Sequence, residues 1–189
     1  MRFWSQLIVK VSIFALVLVG PASAMVFYNQ IQAIDLAFPE ATRTDSETFI
    51  LTDEQVALIE KAGRSEVASR LVTVYRGWRG DTFLGYAHID VHTVRTKPEG
   101  LLVVLNPEAE ILQTLVLAFH EPLEYMPTDG WYRKFAKRSS DDDLRIGFDV
   151  DAVTGATLTT RATVDSVRRM FAYYEILFQP QATGTLASE

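Results

Sequence analysis

Ten residues, Asp151-Ala152-Val153-Thr154-Gly155-Ala156-Thr157-Leu158-Thr159-Thr160, gather four threonines and two minimal residues into one short stretch. Apolar residues at helical spacing follow, Val164, Val167, Phe171 and Tyr174, so the stretch stands at the entrance of a helix. Two chemistries fit such an entrance. In one, Thr, Asp and Gly simply satisfy the free amide groups of the first turn as an N-cap. In the other, the same free amides and the positive helix end form a site for phosphate. Gly155 and Ala156 would let the phosphate approach the backbone, and Thr157 would set a hydroxyl beside it. Thr154 and Thr160 are then placed to hydrogen-bond the phosphate or to cap the helix. Asp151 is expected to position the loop, since a carboxylate repels a phosphate dianion.

Other constellations carry less. His88, Asp90 and His92 share one strand face, but residues two apart on a strand are separated by about 6.6 Å, so the two histidines stand about 13 Å apart and share no metal ion. They read as a polar strand face. No nucleophile stands beside His120-Glu121, which is assigned no catalytic role. Asp141-Asp142-Asp143, with Asp149 and Asp151, lack the spacing, central glycine and terminal glutamate of a calcium loop and read as a solvated segment. Arg79-Gly80-Asp81 reads as a turn. The chain has no cysteine, which excludes iron–sulfur clusters, thiolate zinc sites and disulfides. No catalytic and no metal-binding residue is therefore assigned.

The chain of 189 residues, 48% apolar and 22% charged, has the composition and length of one globular domain. Its net charge is −6, and its basic residues form no stripe, so nucleic acid is not an expected partner. Arg2 and Lys10 precede an apolar run, Val11 to Gly20, then Pro21 and Ala22-Ser23-Ala24. This is the pattern of a secretory signal, with a retained N-terminal anchor as the alternative. Either places the working domain outside the cytoplasm, in the periplasm or on the outer face of the cytoplasmic membrane.

The elements that must position the threonine turn follow from periodicity. A capping box, Thr52-Asp53-Glu54-Gln55, opens a helix over Asp53 to Ala62, with Gly63 as its left-handed stop. Tyr28 to Phe38 reads as a short helix or an extended lead-in. Arg70 to Arg76 and Thr82 to Val94 form an antiparallel hairpin. In its second arm Phe83, Ala87, Ile89 and Val91 are expected on the core face, with Tyr86, His88, Asp90 and His92 toward water or a ligand. Leu101 to Leu105 and Ile111 to Phe119 form a second pair around Asn106-Pro107-Glu108. Tyr132 to Lys137 is expected as a short helix, and Thr160 to Phe178 as the long closing helix, ended by Pro180. The predicted class is α+β, an antiparallel or mixed sheet of about four strands with helices packed at the N- and C-terminal ends. The divisions are a signal or anchor over 1–24, a helical lead-in over 25–66, a functional domain over 67–179 and a loose tail over 180–189.

Asp151-x-x-Thr154-Gly155-Ala156-Thr157 resembles the flavinylation motif of the FMN-binding domain family, which includes flavin-bearing components of the sodium-translocating NADH:quinone reductase and of the Rnf electron transport complex. By average residue usage, its fixed positions arise by chance in roughly one chain of this length in a few thousand. The resemblance implies FMN held by a phosphoester on Thr157, attached by a separate Mg-dependent flavin transferase that takes FAD as donor. It implies electron transfer with a membrane-bound redox partner. It extends more weakly over Leu71 to Phe178. Where family members often carry a His-x-Glu-Thr-Pro-Gly-like segment, this chain reads His120-Glu121-Pro122-Leu123-Glu124-Tyr125, the mark of a separate branch. The aromatics after it, Tyr125, Trp131 and Tyr132, pack on a flavin ring or on the sheet. A second function class is a non-redox exported accessory or ligand-binding module in which the threonine turn is only a cap.

Overall fold

A computed structural model describes residues 25–178. The expected signal or anchor over 1–24, Pro180 and the tail over 180–189 lie outside the described residues. The chain runs β1 (Met25–Val26), α1 (Gln30–Ala37), β2 (Arg43–Ile50), α2 (Asp53–Gly63), β3 (Leu71–Arg79), β4 (Thr82–Thr93), β5 (Pro98–Leu105), β6 (Ile111–Phe119), α3 (Asp129–Tyr132) and α4 (Thr157–Tyr173). One six-stranded sheet, in the order β1-β6-β5-β4-β3-β2, is antiparallel throughout. The class is α+β as expected, with six strands in place of about four. The two additional strands are its edges, and both lie in residues 25–66, which carry α1 and α2 together with β1 and β2. β2 escapes periodicity because its residues, RTDSETFI, are mostly exposed on an edge and need no apolar alternation.

β5 is buried along nearly its whole length, and Leu101, Val103 and Leu105 face α4 while Leu102 and Val104 face α1. This two-sided burial makes β5 the centre of the molecule. α4 lays Val164, Val167, Met170 and Phe171 on the first face, and each such side chain contributes on the order of 1.5–3 kcal/mol when fully buried. α4 starts at Thr157, three residues earlier than expected, because the threonine-rich first turn is held by contacts that propensity does not report. Beyond Tyr173 it widens into a π-turn over Tyr174–Phe178.

The hairpin of β3 and β4 carries a bulge at Gly77/Trp78, where Gly77 faces Gly85 and Trp78 faces Phe83. The extra residue, Leu84, reverses the alternation. Leu84, not Phe83, joins Ala87 and Ile89 under α1, and Phe83 stands edge-on to Tyr86 at 4.8 Å. Gly85 has φ +139° and its Cβ would lie 2.0 Å from the Leu105 carbonyl, so only glycine fits there.

Two further expectations are corrected. The left-handed residue after α2 is Arg64, at φ 52°. Gly63 is the last helical residue, and its Cβ would stand in ordinary contact, 3.4 Å, with the Arg169 backbone of α4. The short helix comes earlier than Tyr132, as α3, and passes into a 3-10 turn over Arg133–Phe135 that ends before Lys137, itself left-handed at φ 68°. Its aromatics Trp131 and Tyr132 pack into the core.

Candidate functional site

α4 opens without a cap. Ala156 holds the N-cap position at φ −115°, ψ 26°, and no side chain bonds the first turn. The first bond of the helix runs from the Thr160 N–H to the Ala156 carbonyl, 2.9 Å, which leaves the N–H groups of Thr157, Leu158 and Thr159 at the helix mouth. Gly155, at φ +84°, has open space where a Cβ would stand. The expected N-cap role of the threonines is therefore not how the turn is built.

The predicted residues separate into two groups. Thr154, Gly155 and Thr157 are exposed. Thr160 is fully buried and its hydroxyl donates to the Ala156 carbonyl, 2.9 Å, so it reaches neither the helix mouth nor a phosphate there. It lies one turn inside the helix, on the stripe that faces the core. Thr159 is also buried and donates to the Tyr125 carbonyl at 2.6 Å. Asp151 stands apart, its carboxylate paired with Lys134 and its carbonyl accepting from the Trp131 indole N–H at 2.9 Å. These contacts fasten the start of the loop to α3.

Gly155, Ala156 and Thr157 form one wall of a cavity of about 160 Å³, closed on the other side by Arg95, Glu121 and Tyr125. Sequence reasoning missed Arg95, which no motif marks. The turn that carries Arg95 is pinned by Glu121, whose carboxylate accepts from the Thr96 N–H (2.7 Å), the Lys97 N–H (2.9 Å) and the Thr96 hydroxyl (3.1 Å). The Thr96 amide above all, against the cost of desolvation, holds its carboxyl below the usual carboxylate range. Free amides, a guanidinium and a hydroxyl are the donor set of a phosphate site, and the one carboxylate in the wall is already engaged.

Residues 96–172 match the family model of the FMN-binding domain. This match agrees with the family that the threonine turn resembles. The match supports FMN as the cofactor, and the matched stretch contains β5, β6, α3 and the whole threonine turn. No curated protein matches the chain.

The remaining candidates settle into structural roles. The face of β4 expected toward water or a ligand lies beneath α4, where His88, Asp90 and His92 are nearly enclosed and border a cavity of about 600 Å³. The His92 ring bridges Asp90 at 2.9 Å and Glu99 at 3.1 Å, and Arg169 of α4 donates to Asp90 at 2.6 Å and to Ser65 at 3.2 Å. Tyr132 donates to Glu99 at 3.3 Å. Burial opposes a charge on His92, but the bonds to Asp90 and Glu99 outweigh it and push its pKa up to about 9. Burial acts the same way on Asp90, yet His92 and Arg169 hold it well below the carboxylate range. His88 is desolvated and its pKa is lowered; its Nδ1–H donates to the Thr73 carbonyl at 2.8 Å. Two carboxylates thus face two cations. Asp142, Asp143 and Asp149 each bond an arginine, and among the described residues no group of His, Asp and Glu is arranged to hold a metal ion.

Proposed function

We propose that the protein is an extracytoplasmic electron-transfer flavoprotein carrying FMN through a phosphoester on Thr157. The carrying observation is the exposed hydroxyl of Thr157 at an uncapped helix mouth inside an FMN-binding domain. In the attachment, performed by a Mg-dependent flavin transferase, Thr157 Oγ attacks the phosphorus on the FMN side of FAD. The phosphoanhydride bond breaks, AMP leaves, and the hydroxyl proton passes to solvent. Bound flavin supplies hydride and one-electron chemistry. The chain's own part is to hold: the three N–H groups and Arg95 would take the ester's negative charge, and Gly155 would leave room for it.

The signal-like pattern over residues 1–24 supports export or an anchor holding the domain on the outer face of the cytoplasmic membrane. A covalent tether retains the cofactor in a compartment that does not make it. No residue is assigned to substrate chemistry, so the protein acts as a carrier between a membrane redox complex and a further acceptor.

Intact mass of the protein from a host that contains the transferase and FAD tests this reading. The expected result is an increase equal to FMN minus water, retained in Thr157→Ser and absent in Thr157→Ala. An unmodified mass under those conditions overturns it and leaves a non-redox binding module.

A further inference from the structure

The 160 Å³ cavity at Thr157 is small against the roughly 300–1,000 Å³ that a ligand the size of a drug or cofactor occupies. It accommodates the phosphate end and leaves the rest of such a ligand to be seated elsewhere. A cavity of about 600 Å³ begins on the other side of Leu158 and shares Leu158 and Val94 with the first.

This larger cavity exists because the sheet opens. β3 and β4 pair from Arg79↔Thr82 as far as Val74↔His88, and no further. Beyond that point Leu71 to Thr73 pair only with β2, and Ile89 to Thr93 pair only with β5. A side chain stands where the backbone ladder stops, since His88 Nδ1–H donates to the Thr73 carbonyl. The gap passes through the sheet: a second cavity, of about 380 Å³ on the opposite face, shares Leu71, His88, Ile89 and Val91 with the first. Leu71 and Val91 are 61% and 65% exposed at its edges. On the α4 side, Arg161 stands one turn after Thr157, exposed and with no ion pair among the described residues, and Asp165 follows it. The floor is fixed by the Arg169–Asp90–His92–Glu99 chain of bonds.

We propose that this slot between β3 and β4 seats the isoalloxazine ring system of the flavin attached at Thr157. The inference rests on the functional reading above for the identity of the ligand. A flat heteroaromatic with an imide edge needs apolar walls and a few convergent hydrogen-bonding groups. The slot supplies Leu71, Val91 and Leu158 for the first, and Arg161 and Asp165 for the second.

The test fills the slot. In flavinylated protein, Ala162→Trp and Ser69→Trp place an indole in it from opposite walls, and Leu112→Trp, on the exposed face of β6, serves as the control. Each carries flavin by intact mass, but in the two slot variants iodide quenches the flavin emission several-fold more strongly than in wild type or Leu112→Trp. Circular dichroism confirms folding, and Ser69→Trp, on an exposed loop, decides if Ala162→Trp does not fold. Folded, flavin-bearing slot variants with wild-type quenching overturn the proposal. A wild type that carries no flavin overturns the reading of Thr157, and the slot is then judged with riboflavin on the unmodified chain. Binding weakened about tenfold or more by the slot variants supports the slot, and no binding, or binding indifferent to them, overturns it.

Discussion

The entrances of α2 and α4 solve the same problem in opposite ways. α2 satisfies its own first turn: Thr52, at φ −75° and ψ 165°, accepts from the Gln55 N–H while Gln55 returns a bond to the Thr52 N–H. α1 does the same with Asn29 and Gln32. α4 has no such device, and its N-cap backbone, at ψ 26°, is not the extended conformation the other two share. Its stability comes from further along, through Thr159 on Tyr125, the apolar stripe, and Arg169 in the buried charge cluster. A helix anchored by its body can leave its mouth open to a ligand.

That division predicts where the two helices are vulnerable. The largest effect is expected from Arg169→Met, which leaves Asp90, Glu99 and His92 enclosed with one cation fewer. Loss of about 3–5 kcal/mol is expected in denaturant unfolding. The corresponding change in α2, Asp53→Asn, removes an exposed pair with Arg70 and should cost well under about 1 kcal/mol. Equal losses would break the contrast.

Alkaline pH tests the same anchor without mutation. The folded pKa of His92 is about 9, above its unfolded value of about 6.5. The stability it contributes is therefore complete below about pH 6.5 and is lost as pH rises through about 9. On the order of 3 kcal/mol is at stake. Stability measured from pH 6 to 10 should fall across that window, and His92→Gln should flatten the fall.

At the entrances themselves the contrast becomes one of kind. Thr52→Ala should cost about 1 kcal/mol. Thr157→Ala should leave the melting temperature unchanged while abolishing flavin attachment, because its hydroxyl supports no bond within the fold. A comparable loss of stability at both positions would mean that α4 is capped after all.

How much of this was readable from the sequence depends on whether the determinant was local. The capping box at Thr52, both hairpins and the motif ending at Thr157 are local; the first two emerge from spacing and the third from its resemblance to a known family. β2 did not, because an exposed edge strand bears no apolar alternation. The face of β4 did not either: His88, Asp90 and His92 look like a wet surface until Arg169, far along the chain, arrives to pair with Asp90. Thr160 carried the same letter as Thr157 but the opposite environment, which only the register of α4 decides. Arg95 and Glu121 meet the threonine turn through the pairing of β4, β5 and β6, and no sequence window contains all three.

The smallest expected effect separates two explanations of the open mouth. If α4 lacked a cap only for want of a suitable side chain, Ala156→Ser would add one, and the gain would be about 0.5–1 kcal/mol, as serine commonly gives over alanine at this position. The backbone argues otherwise. Capping oxygens reach the N2 and N3 amides from an extended residue, as at Asn29 and Thr52, whereas Ala156 is turned away from that conformation and is buried. A serine there gains no bond, and thermal unfolding of Ala156→Ser should show no stabilisation. A rise in melting temperature would show that side-chain choice alone keeps the mouth open. An unchanged or lowered value places the cause in the turn through Gly155, whose left-handed φ sets the direction from which the chain enters the helix.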